Sequence, residues 1–245
     1  IGRRVHVLDS TTSTNDEAEK FASNQEPEGL VVFSESQTRG RGRMGRKWSS
    51  PRGKGLWFSI LLRPSLSANE CTQLTVASVV SLVRAINETT GITPDIKWPN
   101  DLLIREKKIA GILTEMHAEL DRVRHVIIGV GIDVNQNHSD FPVQLRKTAT
   151  SLKIASGATV DRTALAEAIL REMDKDYKRV LNGRFNEVAQ EWADHCVTLG
   201  KEVNIQSGRN RVTGRAESLD ETGGLLVRTQ HGRIERIIGG DVAMI

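Results

Sequence analysis

"DIKWPNDLLIREKKIAGILTEM", residues 95–116, places two runs rich in branched aliphatic residues on either side of a short polar break at 105–107. Two such runs joined by so few residues predict an antiparallel hairpin. A parallel neighbour would need a crossover of a dozen residues or more, so the sheet built around this hairpin is expected to be mainly antiparallel. Reading outward, "RHVIIGVGIDVN" (124–135) supplies a further strand, as do "LWFSILLRP" (56–64), "GLVVFSES" (29–36) and the alternating "RRVHVLD" (3–9). Helices are predicted at "STNDEAEKFAS" (13–23), over 70–90 up to Gly91, from an Asp161 N-cap to about Leu181, and at "FNEVAQEWADH" (185–195). Thr14 and Glu17 have the spacing of a capping box. Residues 136–151 are polar and irregular, the texture of a mobile loop.

After Gly200 the pattern changes. "KEVNIQ", "RVTGRAESL", "LLVRTQ" and "RIERII" are short strands separated by "SGRN", "DETGG" and "HG" turns, a small all-β module of barrel type. The reading is an α/β (α+β) domain at 1–196 with its own core, followed by a small β-barrel at 197–245. A chain of 245 residues is long enough for both.

Net charge is only +3, yet Thr38 to Lys54 holds Arg39, Arg41, Arg43, Arg46, Lys47, Arg52 and Lys54 with no acid. The basicity is local, unlike that of a duplex-binding face. The C-terminal module has seven Lys/Arg against six Asp/Glu and no Trp, Tyr or Phe on which bases could stack, which also disfavours nucleic acid. Cys71 and Cys196 match no metal-ligand spacing and read as buried thiols in a reducing compartment, so the expected location is cytoplasmic. No run approaches the length of a membrane span, and the start is not a signal peptide. It lacks an initiator Met, consistent with a fragment or a processed form.

Five segments carry chemistry. In "TRGRGRMGRKW" (38–48), glycines 40, 42 and 45 allow positive φ and close approach, and the arginine forks match phosphate or carboxylate oxygens. It is not a P-loop, and a solvated loop is the plainer alternative. "KWPND" (97–101) combines a rigid Trp-Pro step with acceptors at Asn100 and Asp101. "KKIAGIL" (107–113) sets Lys108 at a strand mouth, with Gly111 leaving room for a ligand. "GVGIDVN" (129–135) has glycines two apart, which weaken a strand unless something approaches closely, and Asp133 and Asn135 as acceptors on one face. "STN" (13–15) offers two hydroxyls and an amide at a helix start. Taken singly, most of these are ordinary turns, caps and hairpin ends.

Together and in this order, the five segments resemble the biotin protein ligase family, and the resemblance runs over essentially the whole chain. It implies a mixed, mainly antiparallel sheet of the class II synthetase-like kind with a C-terminal SH3-like barrel. It implies an enzyme that activates biotin with ATP and Mg²⁺ as biotinyl-5′-adenylate, then transfers biotin to one lysine of a biotin carboxyl carrier protein of acetyl-CoA carboxylase. By motif match, Ser13, Thr14, Asn15 and Gln37 face the ureido ring. Gly40 and Gly42 let the loop fold over the ligand, and Gly111 leaves it space. Arg41, Arg43 and Lys108 act on the carboxylate and phosphates, Trp48 stacks near adenine, and Asp133 accepts from water or binds Mg²⁺. The family usually has Asn at that last position, which puts Asp133's contact in doubt. Arg39 and Arg46 are read as keeping the loop soluble. An edge strand of the main sheet is expected to dock the carrier, a surface that forms homodimers in some relatives. Some members carry a preceding DNA-binding domain and act as repressors. This chain begins at the catalytic domain, so it is expected to be a monofunctional ligase or one from which that domain was removed. A nucleic-acid-binding module and a lipoate ligase are the competing readings; the arginine-glycine loop and the barrel favour biotin.

Overall fold

The computed structural model describes residues 1–119, 122–208 and 210–245. Its larger sheet contains β1 (Arg4–Leu8), β2 (Leu30–Ser34), β3 (Leu56–Leu62), β4 (Asp95–Lys97), β5 (Asp101–Ile104), β6 (Lys107–Glu119) and β7 (Arg122–Ile132). The strand order is β1-β2-β3-β7-β6-β5-β4. Only β1 and β2 run parallel; every other neighbour is antiparallel.

The expected hairpin is present as β5–β6, closed by Arg105 and Glu106 with φ of 49° and 64°, the backbone that a tight two-residue hairpin turn requires. Residues 95–104, however, do not form one strand. They reverse at Trp98–Asn100, so β4 and β5 are themselves antiparallel. Pro99 brings no N–H to a ladder, and Ile96 instead pairs outward with Cys196, its carbonyl accepting from Val197 N at 2.9 Å.

The helices α1 (Thr14–Ser23), α2 (Thr72–Thr90), α3 (Leu152–Ser156), α4 (Arg162–Leu181) and α5 (Phe185–His195) divide between the two faces of this sheet. α2, α4 and α5 pack over the main core, where Val126, Ile128, Val130 and Ile132 of β7 point. α1 covers the other face with Ala18 and Ala22 against Leu30, Val32, Leu61 and Ile127. Gly91 ends α2 with φ 70°, and Asp161 caps α4 by accepting from Thr163 N and Ala164 N. The capping box does not form at α1. Its N-cap is Ser13, without a side-chain bond, and Glu17 accepts from Thr11 instead.

The C-terminal sheet is antiparallel, in the order β11-β10-β9-β8-β12, from β8 (Glu202–Ser207), β9 (Asn210–Leu219), β10 (Leu225–Thr229), β11 (Ile234–Ile237) and β12 (Asp241–Met244). Within the "SGRN" turn, Arg209 lies outside the described residues. Val203, Ile205, Ala216, Leu225, Val227 and Ile237 belong to the same continuous apolar cluster as the main core. The apolar packing of residues 1–196 is thus continuous with that of the C-terminal sheet. Residues 136–151 contain two short 3-10 turns, and their end is anchored beside β6, where Lys108 N donates to Thr148 O and Thr150 N to Lys108 O. Among the described residues no helix is long and apolar enough to cross a membrane.

Candidate active site

Side chains alternate along a strand, so Gly129, Gly131 and Asp133 follow Ile127 onto the α1 side of β7, about 6.8 Å apart. α1 ends its cover at Ile127, and beyond it a cavity of about 860 Å³ opens over this row. The two glycines are there because other side chains occupy the space a Cβ would need. At Gly129 a Cβ would fall on the Asn15 carboxamide; at Gly131 it would lie 2.5 Å from Cε2 and Nε1 of Trp48. Gly111 sits opposite Gly131 on β6, and a Cβ there would be 3.3 Å from the same indole. Two facing glycines thus make a floor on which Trp48 lies, edge-on to Trp57.

The Gly129 end presents neutral hydroxyl and amide groups, with the Asp16–Arg41–Glu115 ion pairs beside them. Ser13, Thr14 and Asn15 are all buried. Thr14 N, one of the orphan donors of a helix start, donates to Gln37 Oε1 at 2.8 Å, and Gln37 Nε2 donates to Ser50 Oγ at 2.9 Å. With Gln37 doing the capping, the Ser13 hydroxyl is left lining the cavity. Ser59 Oγ lies 2.7 Å from Thr14 Oγ1 and 2.5 Å from Asn15 Oδ1, and Asn15 Nδ2 donates to Glu115 Oε2 at 2.7 Å.

The Asp133 end is charged. Lys108 Nζ pairs with Asp101 Oδ1 at 2.5 Å and stands 5.4 Å over the Trp48 ring. Burial pushes the Asp133 carboxyl well above the usual aspartate range, against the opposing pull of Lys108. Asp133 Oδ1 also accepts from Gln136 Nε2 at 2.5 Å. Arg41 belongs instead to the Asn15 end, paired with Asp16 at 2.7 Å and with Glu115, the acceptor of Asn15, at 3.5 Å. Arg43 donates only to the neutral Asn100 Oδ1, at 3.2 Å, and makes no ion pair among the described residues. Burial weakens its hold on the proton more than the more distant Asp101 and Asp241 restore it. A desolvated guanidinium without a carboxylate partner, on the wall of a cavity, is a receptor for an anion.

A cavity with hydroxyl and amide groups at one end, an indole at its waist and, at the other, Lys108 beside an Arg43 that has no carboxylate partner among the described residues suits an amphipathic acid with a nucleotide beside it. Comparison with known proteins makes that assignment specific. Residues 7–133 match the family model described as the biotin/lipoate A/B protein ligase family, and residues 198–244 match the biotin protein ligase C terminal domain. The chain belongs to the biotin/lipoate A/B protein ligase family. It is 41% identical over 244 residues to the bifunctional ligase/repressor BirA of Bacillus subtilis, covering 100% of this chain and 75% of that protein. It is 30% identical to the biotin–[acetyl-CoA-carboxylase] ligase of Mycobacterium tuberculosis, covering 98% and 88%. Among solved structures, the biotin protein ligase from Aquifex aeolicus in complex with biotin and ATP superposes with a TM-score of 0.83 at 32% identity, covering 99% of each chain.

Within this family fold the residues singled out from the sequence largely converge. Ser13, Thr14, Asn15, Gln37, Arg41, Gly42, Arg43, Trp48, Lys108, Gly111 and Asp133 all line the cavity. Gly40 lies behind it, where a Cβ would sit 2.6 Å from Trp48 O. The basic loop differs from expectation in detail. Its positive φ values belong to Met44 (56°) and Gly45 (72°), while Gly42 has φ −108° and a would-be Cβ there makes only ordinary contact with Arg46, at 3.7 Å. Arg46 is not a free solubilising charge; it pairs with Asp241 of the C-terminal sheet. Asn135 turns away from Asp133 and binds both the N–H and the C=O of Val160.

Several participants were not singled out. Ser59 has a sequence signal, a lone hydroxyl inside "LWFSILL", and Asn100 and Asp101 sit in a motif already noted as supplying acceptors. Glu115, Asp16 and Asp241 have none, because only the fold brings them to Arg41, Asn15 and Arg46.

Proposed function

We propose that this chain is an ATP-dependent biotin protein ligase that joins biotin to a lysine of a biotin carboxyl carrier domain in two steps. In the first, a biotin carboxylate oxygen attacks the α-phosphorus of ATP and pyrophosphate leaves, giving biotinyl-5′-adenylate. In the second, the carrier lysine amine attacks the acyl carbon, loses a proton, and AMP departs. The observation that carries this reading is the gradient along one cavity, from the hydroxyl and amide groups of Ser13, Thr14, Asn15 and Gln37, past the Trp48 indole, to Lys108 and Arg43.

The assignments follow from that gradient. Ser13, with Thr14, Asn15 and Gln37 behind it, meets the ureido ring, whose polar atoms need both donors and acceptors in a buried setting. Trp48, flat on the glycine floor, walls the bicyclic body and offers a stacking face to the adenylate. Lys108 and Arg43 take the carboxylate and phosphate oxygens, with Arg41 at their side. An anionic carboxylate approaching a polyphosphate is opposed by Coulomb repulsion, and fixed cations in a water-poor site offset it without reorganising. Lys108 must trade part of its bond to Asp101 for the ligand.

The donor set fits Mg²⁺ as well. This ion is commonly held by one or two carboxylates plus substrate phosphates, and Asp133 is a buried carboxyl whose ionised form lacks enough positive charge around it. When bound, the ion supplies charge neutralisation at the phosphates, and Asp133 would hold it.

Strand β1 is an edge of the larger sheet, with Val5 and Val7 exposed. We assign it to carrier docking by strand addition, with a second copy of the chain competing for the same edge. Nucleic-acid binding is not assigned to these residues: Arg41 and Arg43 face the cavity, and Arg46 and Arg52 are paired with Asp241 and Asp9. We assign the reaction to the cytoplasm, a reading that the free thiols of Cys71 and Cys196 support. The test is incubation of the chain with biotin, ATP, Mg²⁺ and a carrier domain. One biotinyl group added to the carrier, and none when its target lysine is replaced by arginine, is the expected result; an unchanged carrier mass would refute the function.

A further inference from the structure

We propose that Glu19, His117 and His125 form a binding site for one divalent transition-metal ion of the zinc class, bracing α1 against the β6–β7 strand pair. The site is separate from the cavity and uses none of its residues. His117 and His125 are direct cross-strand partners in the β6–β7 ladder. Their imidazoles stack with centroids 5.2 Å apart and planes 8° from parallel. Glu19 reaches down from α1 until its Oε2 lies 2.8 Å from His125 Nε2. One ligand atom from each of the three residues lies within 4.8 Å of the others.

Two imidazoles and a carboxylate are the borderline donors that suit zinc, and three protein ligands with a water in the fourth position is an established coordination for it. Metal–ligand bonds of about 2.0–2.1 Å in a tetrahedron place the ligand atoms about 3.3 Å apart. The set must therefore contract by at most about 1.5 Å. Rotations of two side chains supply that contraction, since His117 is exposed and Glu19 is half-buried, while the buried His125 stays fixed in the sheet. The exposed side of the cluster leaves room for the water and a route for the ion.

The position gives the ion something to do. Asn15 lies four residues before Glu19 on one face of α1, and Glu115 lies two residues before His117 on one face of β6. Asn15 and Glu115 are already joined at 2.7 Å. The metal would add a second rung, one turn farther along the helix, between the elements that hold the neutral end of the cavity.

The test uses the full chain without a polyhistidine tag. Zinc chloride is titrated by calorimetry into the wild type, His117→Ala and Glu19→Gln, both changed at accessible positions so that folding is retained. The expected result is one ion per chain, at least tenfold weaker binding in each variant, and a zinc-dependent rise in Tm that both variants lose. Cobalt(II) in place of zinc should give d–d bands without thiolate charge transfer, which separates this site from Cys71 and Cys196. Equal zinc affinity in wild type and variants, a thiolate band, or no stoichiometric binding would each overturn the proposal.

Discussion

Replacing Arg43 by methionine should move stability and ligand affinity in opposite directions. The Arg43 guanidinium is half-buried, bonded only to the Asn100 carboxamide among the described residues, and packed against the backbone of Gly239. Desolvation outweighs the attraction of Asp101 and Asp241, so the charge is a liability until an anion arrives. Methionine keeps much of the apolar stem and removes that liability. The expected change in folding stability is within about 1 kcal/mol of zero, with Tm equal to or above the wild type. Affinity is different. A hydrogen bond to a charged group contributes about 1.5–3 kcal/mol, and 1.4 kcal/mol is tenfold, so binding of ATP or of the adenylate should weaken by about ten- to a hundredfold. Thermal melts without ligand and calorimetric titrations with ATP, run on the same preparations, read both quantities. A variant that melts several degrees lower yet binds ATP at wild-type affinity would show that Arg43 is a structural link between the loop and the C-terminal sheet.

Lys108→Met should weaken biotin or adenylate binding by about one to two powers of ten on the same reasoning. Asp101→Asn, which releases Lys108 from its 2.5 Å partner, should leave that affinity equal or higher; calorimetry on both variants checks the pair. Gly131→Ala places a methyl 2.5 Å from the Trp48 indole, and overpacking of this kind costs about 1–3 kcal/mol. Intrinsic tryptophan fluorescence should shift and biotin binding fall, whereas Gly42→Ala, with nothing nearer than 3.7 Å, should be close to neutral; equal effects would contradict the close-packing argument. Glu172, despite burial, is held below its usual 4.5 by Arg84, and Asp220, also despite burial, below 3.8 by Arg236 and the amides of Gly224 and Thr222. Their folded values lie below the unfolded ones, so the stability they contribute is complete above the unfolded values and fades as pH falls through the folded ones. Their contribution to Tm should fade below about pH 4.5, less steeply in Glu172→Gln, while Asp133, pushed up by burial, acts in the opposite sense and adds stability as pH falls through its folded value.

What could be read from the sequence was whatever is settled locally. The hairpin at 101–116 follows from two aliphatic runs and a two-residue turn. The glycines of "GVGIDVN" announce close approach, although not that Asn15 and Trp48 are what approaches. Gly91 and Asp161 end and start their helices by bonds to their own neighbours. The readings that fail do so where a distant residue wins. The capping box at Thr14 loses to Gln37, 23 residues away. Ile96 of β4 pairs with Leu102 of β5 and also with the distant Cys196. Arg46, read as a soluble loop charge, is claimed by Asp241, 195 residues on. The core of 1–196 runs on into the C-terminal sheet, a continuity that the sequence does not announce. Asn135 shares a face with Asp133 by periodicity, yet the chain leaves the strand at Ile132 and Asn135 binds Val160 instead.

The claim that this cavity activates biotin is tested most directly by pyrophosphate release in a single turnover, with the chain, ATP and Mg²⁺, and no carrier. Biotin should yield about one pyrophosphate per chain, with the adenylate retained, while lipoate and buffer yield only background. Ser13 presents a hydroxyl free of side-chain capping, beside the polar faces of Thr14, Asn15 and Gln37, and lipoate's dithiolane has no N–H or C=O to offer them. Pyrophosphate released equally with lipoate, or not at all with biotin, would contradict the assignment of these residues to the ureido ring and of the adjoining cations to the phosphates.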